Sequence, residues 1–217
     1  MKNIFFLCSI LLFGLKGIQA QEVSEFLNKI PASKQATVFP DSLYSSTTWK
    51  NFYLRKDIQN AIDINQIDYG LLNACLFYAT NKIRATYKKK PLEFNAQLRD
   101  VALIHSYNMV TQNFFSHDNP KASKFKTMKS RIDASGYKAQ AMGENIAKRF
   151  LELAHPLTYI ELANQTIDAF YHSPEHKANM LNPTYTENAQ AVYFYKKNSS
   201  PYVYFTVTQD YGTPWPK

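Results

Sequence analysis

Cysteine and charged residues are both scarce in this chain of 217 residues. Two cysteines, Cys8 and Cys75, are too few for a disulfide framework, and Cys75 lies in an apolar helical segment typical of a small buried hydrophobe. Charged residues make up 19% of the sequence and hydrophobic residues 45%, which excludes a wholly disordered chain and a coiled coil. The sequence has no internal repeat and no low-complexity tract. The length therefore predicts one domain with short additions.

Two common hydrolase signatures are missing as well. The sequence contains neither a Gly-x-Ser-x-Gly nucleophile motif nor a His-Glu-x-x-His zinc motif. Ser116 stands beside His117, but neighbouring side chains in an extended segment point in opposite directions, so Ser116 is a poor partner for that histidine. No nucleic-acid-binding motif is present either. These absences favour a non-enzymatic or weakly enzymatic protein.

Residues 1–20 have the pattern of a secretory signal peptide. Lys2 precedes an apolar run, and the small Ala20 stands at the expected cleavage position. The run is shorter than the roughly 20 residues that a membrane-spanning helix needs. Cleavage after Ala20 removes Lys2, Lys16 and Cys8 and changes the net charge from +8 to +6. We expect a secreted or periplasmic protein that has no transmembrane segment after the signal is removed.

The next segment, residues 21–67, is predicted to be an N-terminal extension and linker. Residues 40–48 are polar and rich in turn formers, so we expect a linker or surface loop there. Isoleucines favour a short helix over 57–67. The patterns in this region indicate no function.

A regular domain is predicted from residue 68 onward, and helices come first. Apolar residues recur at helical spacing over 68–87 and 96–111. A third, basic helix ends at Gly136, and the capping box Thr158-x-x-Glu161 opens a fourth.

The last third of the sequence changes to the alternating pattern of strands. Residues 188–196 and 202–209 alternate, with 197–201 as the turn between them, and a short strand is expected near 141–147. Valines and phenylalanines occupy one face of the hairpin and tyrosines the other. Because both faces are largely aromatic, we expect helices on both sides. The prediction is an α+β fold, a three-layer α-β-α sandwich with an antiparallel central sheet.

Three residues are candidates for chemistry: His117, Glu144 and His176. His117 follows two phenylalanines that we expect to be buried beside the core. Glu144 lies in a small, apolar segment, where a carboxylate is costly to bury unless it is paired. Its partner is either an arginine, Arg84 or Arg131, or a pair of imidazoles.

His176 lies in the first turn of a helix whose start is marked by Ser173 and Pro174. The positive end of the helix disfavours protonation, and a neutral imidazole can bind a metal or act as a base. Two histidines and one glutamate, here His117, His176 and Glu144, form a ligand set that zinc accepts. Their spacing is not that of a local metal motif, so the fold has to bring them together.

Seven short segments, in this order, resemble the bacterial branch of the CAP superfamily (cysteine-rich secretory proteins, antigen 5, pathogenesis-related 1), whose domains are also called SCP domains. The resemblance covers residues 68–213 and is carried by the ordered set. The segments are Asn81–Arg84, Pro91-Leu92, His105-Ser106, Phe115–His117, Gly143–Ala147, Ser173–Leu181 and Thr208-Gln209.

The resemblance implies an α-β-α sandwich with a central cleft lined by His117 and Glu144. We assign His176, Asn145 and Ser173 to the same cleft. In eukaryotic relatives two histidines and two glutamates can hold a divalent metal.

The second histidine and the second glutamate of that set are absent here. Thr206 and Ser173 stand at the corresponding positions. The bacterial pattern offers His176 instead, so zinc is the one cofactor to consider.

Two functions remain open at this point. The first is an extracellular module that binds a ligand or a surface in its cleft without turnover, the ligand being a lipid, a peptide or a cell-envelope component. The second is a metal-dependent hydrolase acting on a peptide or cell-envelope substrate, in which His117 and His176 hold the ion and Glu144 ligates it or activates water. Export and the absent motifs favour the first function and make a nucleic-acid partner unexpected.

Overall fold

The structure is a computed structural model that describes residues 22–35, 39–122 and 124–216. The predicted signal peptide lies outside the described residues. Within the described ranges, no helix combines the length and the apolar character needed to cross a bilayer.

A four-stranded sheet forms the centre of the fold. Its strands are β1 (Glu93–Phe94), β2 (Ala139–Glu152), β3 (Glu187–Lys196) and β4 (Tyr202–Pro214), arranged in the order β1-β3-β4-β2. β3 and β4 form the predicted hairpin, and β2 pairs antiparallel with β4. β1 pairs parallel with β3, so the sheet is mixed and not purely antiparallel as predicted. A strand of two residues shows no alternation, which is why its sequence gave no sign of it.

Helices cover both faces of the sheet, which confirms the predicted three-layer sandwich. α4 (Tyr69–Thr86) and α7 (Tyr159–Tyr171) pack on one face with the large apolar core, while α5 (Ala96–Thr111) packs on the other. The capping box at Thr158 and Glu161 is present and starts α7. Two shorter helices, α6 (Met128–Ala134) and α8 (Pro174–Leu181), flank β2.

The segment before residue 68 differs from the prediction. It contains α1 (22–27), α2 (Asp41–Ser46) and α3 (Trp49–Phe52). A linker or loop at 40–48 is therefore wrong, because the buried Tyr44 anchors α2 to the main core. The helix expected over 57–67 is reduced to one 3-10 turn. The division of the chain at residue 68 stays a prediction.

The alternation of β2 and β4 places neighbouring residues on opposite faces of the sheet. Glu144 pairs with Asp210, and Glu144 faces His105 of α5. Asn145 pairs with Gln209, which faces α4. The candidate site therefore lies on the α5 face, at the level where the opposite face buries a network of amides.

Candidate functional site

Glu144 is the centre of a buried polar cluster on the α5 face. The residue is 6% exposed. Its Oε1 accepts a hydrogen bond from Nδ1 of His117 at 2.8 Å, and its Oε2 accepts one from Nη2 of Arg131 at 2.6 Å. An ionised carboxylate only accepts, so Nδ1 of His117 carries the hydrogen. Both kinds of partner considered for Glu144, an arginine and an imidazole, are present together.

Arg131 holds the cluster together from the middle of α6. A capping box of Thr127 and Ser130 sets the start of this helix and thereby the position of Arg131. Nη1 and Nη2 of Arg131 both donate to the carbonyl of His117 at 3.1 Å, and Nη1 also donates to the carbonyl of Lys126 at 3.2 Å. The same guanidinium thus neutralises Glu144 and fixes the backbone that carries His117.

His105 braces the loop before His117 from the side of α5. Its side chain is fully buried, and Nε2 donates to the carbonyl of Ser116 at 3.0 Å. Burial lowers the pKa of His105 to about 4, against the opposing effect of Glu144, whose Oε1 lies 3.8 Å from Nε2. His105 is therefore neutral at physiological pH and acts as a hydrogen-bond donor within the fold.

Asp210 lies beside Glu144 on β4 and was not among the predicted site residues. As an ionised carboxylate, it would leave both oxygens without a hydrogen-bond partner in the described part of the chain. Burial raises the pKa of Asp210 well above its ordinary value, and the neighbouring charge of Glu144 raises it further. Both effects favour the protonated, neutral form of Asp210. Asp210 directly follows the alternating segment 202–209, and a charged residue at this point of a strand was the signal that could have identified it.

The titration of His117 and Glu144 is coupled by their hydrogen bond. Burial raises the pKa of Glu144, but the hydrogen bond from His117 and the charge of Arg131 lower it more, so the carboxyl stays ionised. The same hydrogen bond raises the pKa of His117 against the effect of burial. The His117 side chain is 55% exposed, so a protonated imidazole can donate outward from Nε2.

His176 does not join this pair directly. Its ring packs against Phe170, with the ring centres 4.9 Å apart, and it is partly buried. Burial lowers the pKa of His176, followed by the charge of His117, so the expected neutral form is favoured mainly by burial and not by the helix end. In the ranges that the structure describes, no hydrogen bond connects the His176 ring to His117 or Glu144.

Asn145 and Ser173 also lie apart from the pair. Asn145 faces the α4 side, where its Nδ2 donates to Oε1 of Gln209 at 3.1 Å and to the carbonyl of His176 at 3.2 Å. It therefore attaches α8 to β2. Ser173 occupies the N-cap position of α8, but its hydroxyl donates to Glu175 and does not cap the helix.

Two further positions complete the comparison with the predicted site. Thr206, which stands where the resemblance expects a second histidine, is buried and donates from Oγ1 to the carbonyl of Ser106 at 2.9 Å. Phe114 and Phe115 were both expected to be buried, but Phe114 is only partly buried and Phe115 is 49% exposed.

The arrangement does not fit the predicted zinc site. Among the described residues, no group of three or more histidine, cysteine, aspartate and glutamate side chains is placed to hold a metal ion. Both oxygens of Glu144 are occupied by hydrogen bonds, and the positive charge of Arg131 lies beside them. The positive charge of Arg131 would repel a cation at this carboxylate.

An open cavity adjoins the pair. His117 and Glu144 line it together with Asp118, Met128 and Lys129, and its volume is about 410 Å³. His176 is not part of this lining. A ligand here would meet the imidazole of His117, the side chains of Asp118 and Thr127, and the ammonium of Lys129, which also pairs with Asp133.

Comparison with known proteins points to one family. The model of the CAP family, described as the cysteine-rich secretory protein family, matches residues 77–211. A curated relative, the uncharacterized membrane protein YlbC of Bacillus subtilis, is 28% identical over 107 residues, which cover 49% of this chain and 27% of that protein. The chain thus spans about a quarter of that relative's length.

Solved structures show the same fold. An extracellular protein containing an SCP domain from Bacillus anthracis is 25% identical with a TM-score of 0.53, and the match covers 70% of this chain and 44% of that one. An outer surface protein from Borrelia burgdorferi is 18% identical with a TM-score of 0.50, covering 72% of this chain and 99% of that one. The second of these supports the fold alone.

Proposed function

The chain belongs to the CAP family, and from this premise we propose that it is a secreted module that binds an extracellular ligand beside His117 and Glu144 without turning it over. The similarity to an extracellular SCP-domain protein supports a role outside the cell. The signal-like pattern of residues 1–20 supports the same placement. Sequencing the N-terminus of exported protein tests this part: we expect Gln21 as the first residue, and an intact Met1 in secreted material would contradict it.

The observation that carries the proposal is the way Glu144 is held. The residue is buried and its two oxygens accept from Arg131 and His117, which favours a role in holding His117 over attack on a substrate or ligation of an ion. What the carboxylate does is hold His117 by Nδ1 and favour its protonated form. The site therefore presents a hydrogen-bond donor whose positively charged form is favoured by Glu144.

The chemistry of the cavity defines the ligand class. A protonated imidazole and the ammonium of Lys129 favour a carboxylate or phosphate group, since charge-assisted hydrogen bonds are about twice as strong as neutral ones. Asp118 also lines the cavity, and its negative charge disfavours a ligand that carries a large anionic surface. A peptide, lipid or cell-envelope component with a single acidic group suits this lining.

The hydrolase alternative has no supporting observation. Hydrolysis by a metal requires ligands with an open position, and the described residues do not form such a group. Hydrolysis through a nucleophile requires a base in contact with it, and among the described residues no hydrogen bond joins the hydroxyl of Ser116 to a base; this hydroxyl accepts from the backbone N–H of Asp118.

Binding and turnover can be tested in the same samples. Protein is titrated with muropeptides, acylated dipeptides and short-chain phosphatidylglycerol, while NMR follows the His117 ring and mass spectrometry follows cleavage. We expect at least one of these acidic compounds to shift the His117 signals, and amidation or esterification of its acidic group to weaken binding about tenfold.

Variants make the test specific to the site. His117→Ala should weaken binding about tenfold, while His155→Ala, at an exposed histidine elsewhere, should leave it unchanged. Cleavage that disappears in Glu144→Gln would overturn the absence of turnover. A His117 ring that responds to none of the acidic compounds would overturn the binding site.

A further inference from the structure

A second cavity lies between the N-terminal helices and the end of α4. Its volume is about 720 Å³, within the roughly 300–1,000 Å³ typical of small-molecule sites. One wall comes from residues 41–50 of α2 and α3, and the other from α4 and residues 89–94. No residue is shared with the lining of the His117 cavity. Since the CAP family match begins at residue 77, the wall at 41–50 is an addition to the matched domain.

Aromatic rings form the floor of this cavity. Tyr44 stacks on Phe94 with ring centres 3.8 Å apart and meets Phe77 edge-on at 5.1 Å. Trp49 is partly buried at the rim, where its ring contributes apolar surface. Rigid rings in the lining favour a flat, mainly apolar body, which can lie against them at little conformational cost.

Among the described residues, positive charges without an ion-pair partner outnumber such negative charges at the rim of this cavity. Lys50 and Lys89 both line the cavity, and neither forms an ion pair in the described ranges. Asp41 is already paired with Arg99 at 2.6 Å, which leaves Glu93 as the one lining carboxylate without an ion pair among the described residues. Lys88 and Lys90 lie on either side of Lys89 in the sequence and add to the positive charge of this region.

We propose that this cavity binds a small organic anion with a planar, mainly apolar body. Lys50 and Lys89 hold the negative group, and the body lies against Trp49 and the aromatic floor. A cationic ligand would meet two ammonium groups against one carboxylate. A neutral ligand would leave both ammonium groups without a charged partner.

Two fluorescent probes of similar shape test the proposal. 8-Anilinonaphthalene-1-sulfonate has an aromatic body and one negative group, whereas N-phenyl-1-naphthylamine has the same kind of body without charge. Titration calorimetry on the folded protein should show one sulfonate per chain and binding of the neutral probe about fivefold weaker. Quenching of Trp49 fluorescence in a Trp215→Phe background should follow the same curve.

Matched variants locate the bound probe. Ala85→Phe fills the cavity from an exposed helix position and should weaken sulfonate binding about tenfold. The control Ala178→Phe, on the exposed side of α8, should leave binding unchanged. Lys89→Gln should weaken the sulfonate about fivefold but not the neutral probe, while Lys90→Gln should have less than half that effect.

The outcomes separate this site from the one at His117. Binding of the sulfonate should be the same in His117→Ala, so the two proposals can fail independently. The proposal is overturned by the absence of saturable binding, by more than one equivalent site, or by binding that Ala85→Phe and Lys89→Gln leave intact.

Discussion

The two faces of the sheet bury polar groups at the same level in different ways. On the α5 face, Glu144 lies opposite Asp210 in the register of β2 and β4, and the charge of Glu144 is neutralised by Arg131. On the α4 face, Asn145 pairs with Gln209, and both are neutral. All four residues are buried. The difference separates a cluster that opens to solvent through His117 from a closed network that joins helices to strands.

The side chains of the neutral network form hydrogen bonds with one another. Nε2 of Gln209 donates to Oγ1 of Thr80 at 2.8 Å, and its Oε1 accepts from Asn145 and from the hydroxyl of Tyr211. Burial raises the pKa of Tyr211 well above its ordinary value, so this hydroxyl stays protonated. The network therefore carries no charge at any pH near neutrality.

Removing Arg131 should have the largest effect on stability, because it leaves the buried charge of Glu144 without its ion-pair partner. Arg131→Met leaves Glu144 ionised and buried beside Asp210, and we expect the free energy of unfolding to fall by about 3–5 kcal/mol in urea denaturation. The control Arg99→Met removes two more exposed pairs, with Asp41 and Asp100, and should cost about 1 kcal/mol. Equal costs for the two variants would contradict the assignment.

The acid dependence of stability should reveal His105. Its pKa of about 4 in the folded state lies below the unfolded value near 6.5, so the unfolded state binds the proton first. The contribution of neutral His105 to the free energy of unfolding is fully present above about pH 6.5. It is lost as pH falls toward 4, by on the order of 3 kcal/mol in total. Urea unfolding at several pH values, compared with His105→Gln, isolates it. A variant with the same pH slope as the parent would contradict it.

Breaking the neutral face should cost less and should not depend on pH. Gln209→Ala removes one hydrogen-bond partner each from Asn145, Thr80 and the hydroxyl of Tyr211, and we expect a loss of about 2 kcal/mol that is equal at pH 5 and pH 8. Gln66→Ala, at an exposed position, should stay within about 0.5 kcal/mol. A loss that grows toward acid pH would show that charge is involved on this face as well.

The smallest effect on stability is expected at the rim of the His117 cavity. Lys129 forms an exposed pair with Asp133 one helical turn away, and Lys129→Gln should change the free energy of unfolding by less than about 0.5 kcal/mol. The same variant should weaken binding of the acidic ligand, since Lys129 lines the cavity. A large loss of stability would place Lys129 in the structural part of the cluster.

The layers of the fold could be predicted from local patterns. α5 has the predicted bounds of 96–111, and α7 begins after the predicted cap at Thr158, because helix periodicity and capping are properties of short segments. The parallel strand β1 and the burial of Tyr44 could not be predicted in this way. Both depend on contacts between distant segments, such as the ring stack of Tyr44 on Phe94.

The site was predictable only in part for the same reason. Glu144 was identified because a carboxylate in an apolar strand needs a partner, and Arg131 was one of the partners considered. Asp210 and the bracing role of His105 depend on the register of β2 with β4 and on the packing of α5, which no motif encodes. His176 was grouped with the pair because it lies in the first turn of a helix and completes a ligand set that zinc accepts, whereas its ring packs against Phe170.

The most direct test of the central claim is an NMR titration of the His117 ring in the parent protein and in Glu144→Gln. We expect a pKa above 6.5 for His117 in the parent, because the ionised Glu144 accepts from Nδ1, and a lower pKa in the variant. A pKa at or below 6.5 in the parent that Glu144→Gln leaves unchanged would contradict the account, since His117 would then present no charge that depends on Glu144.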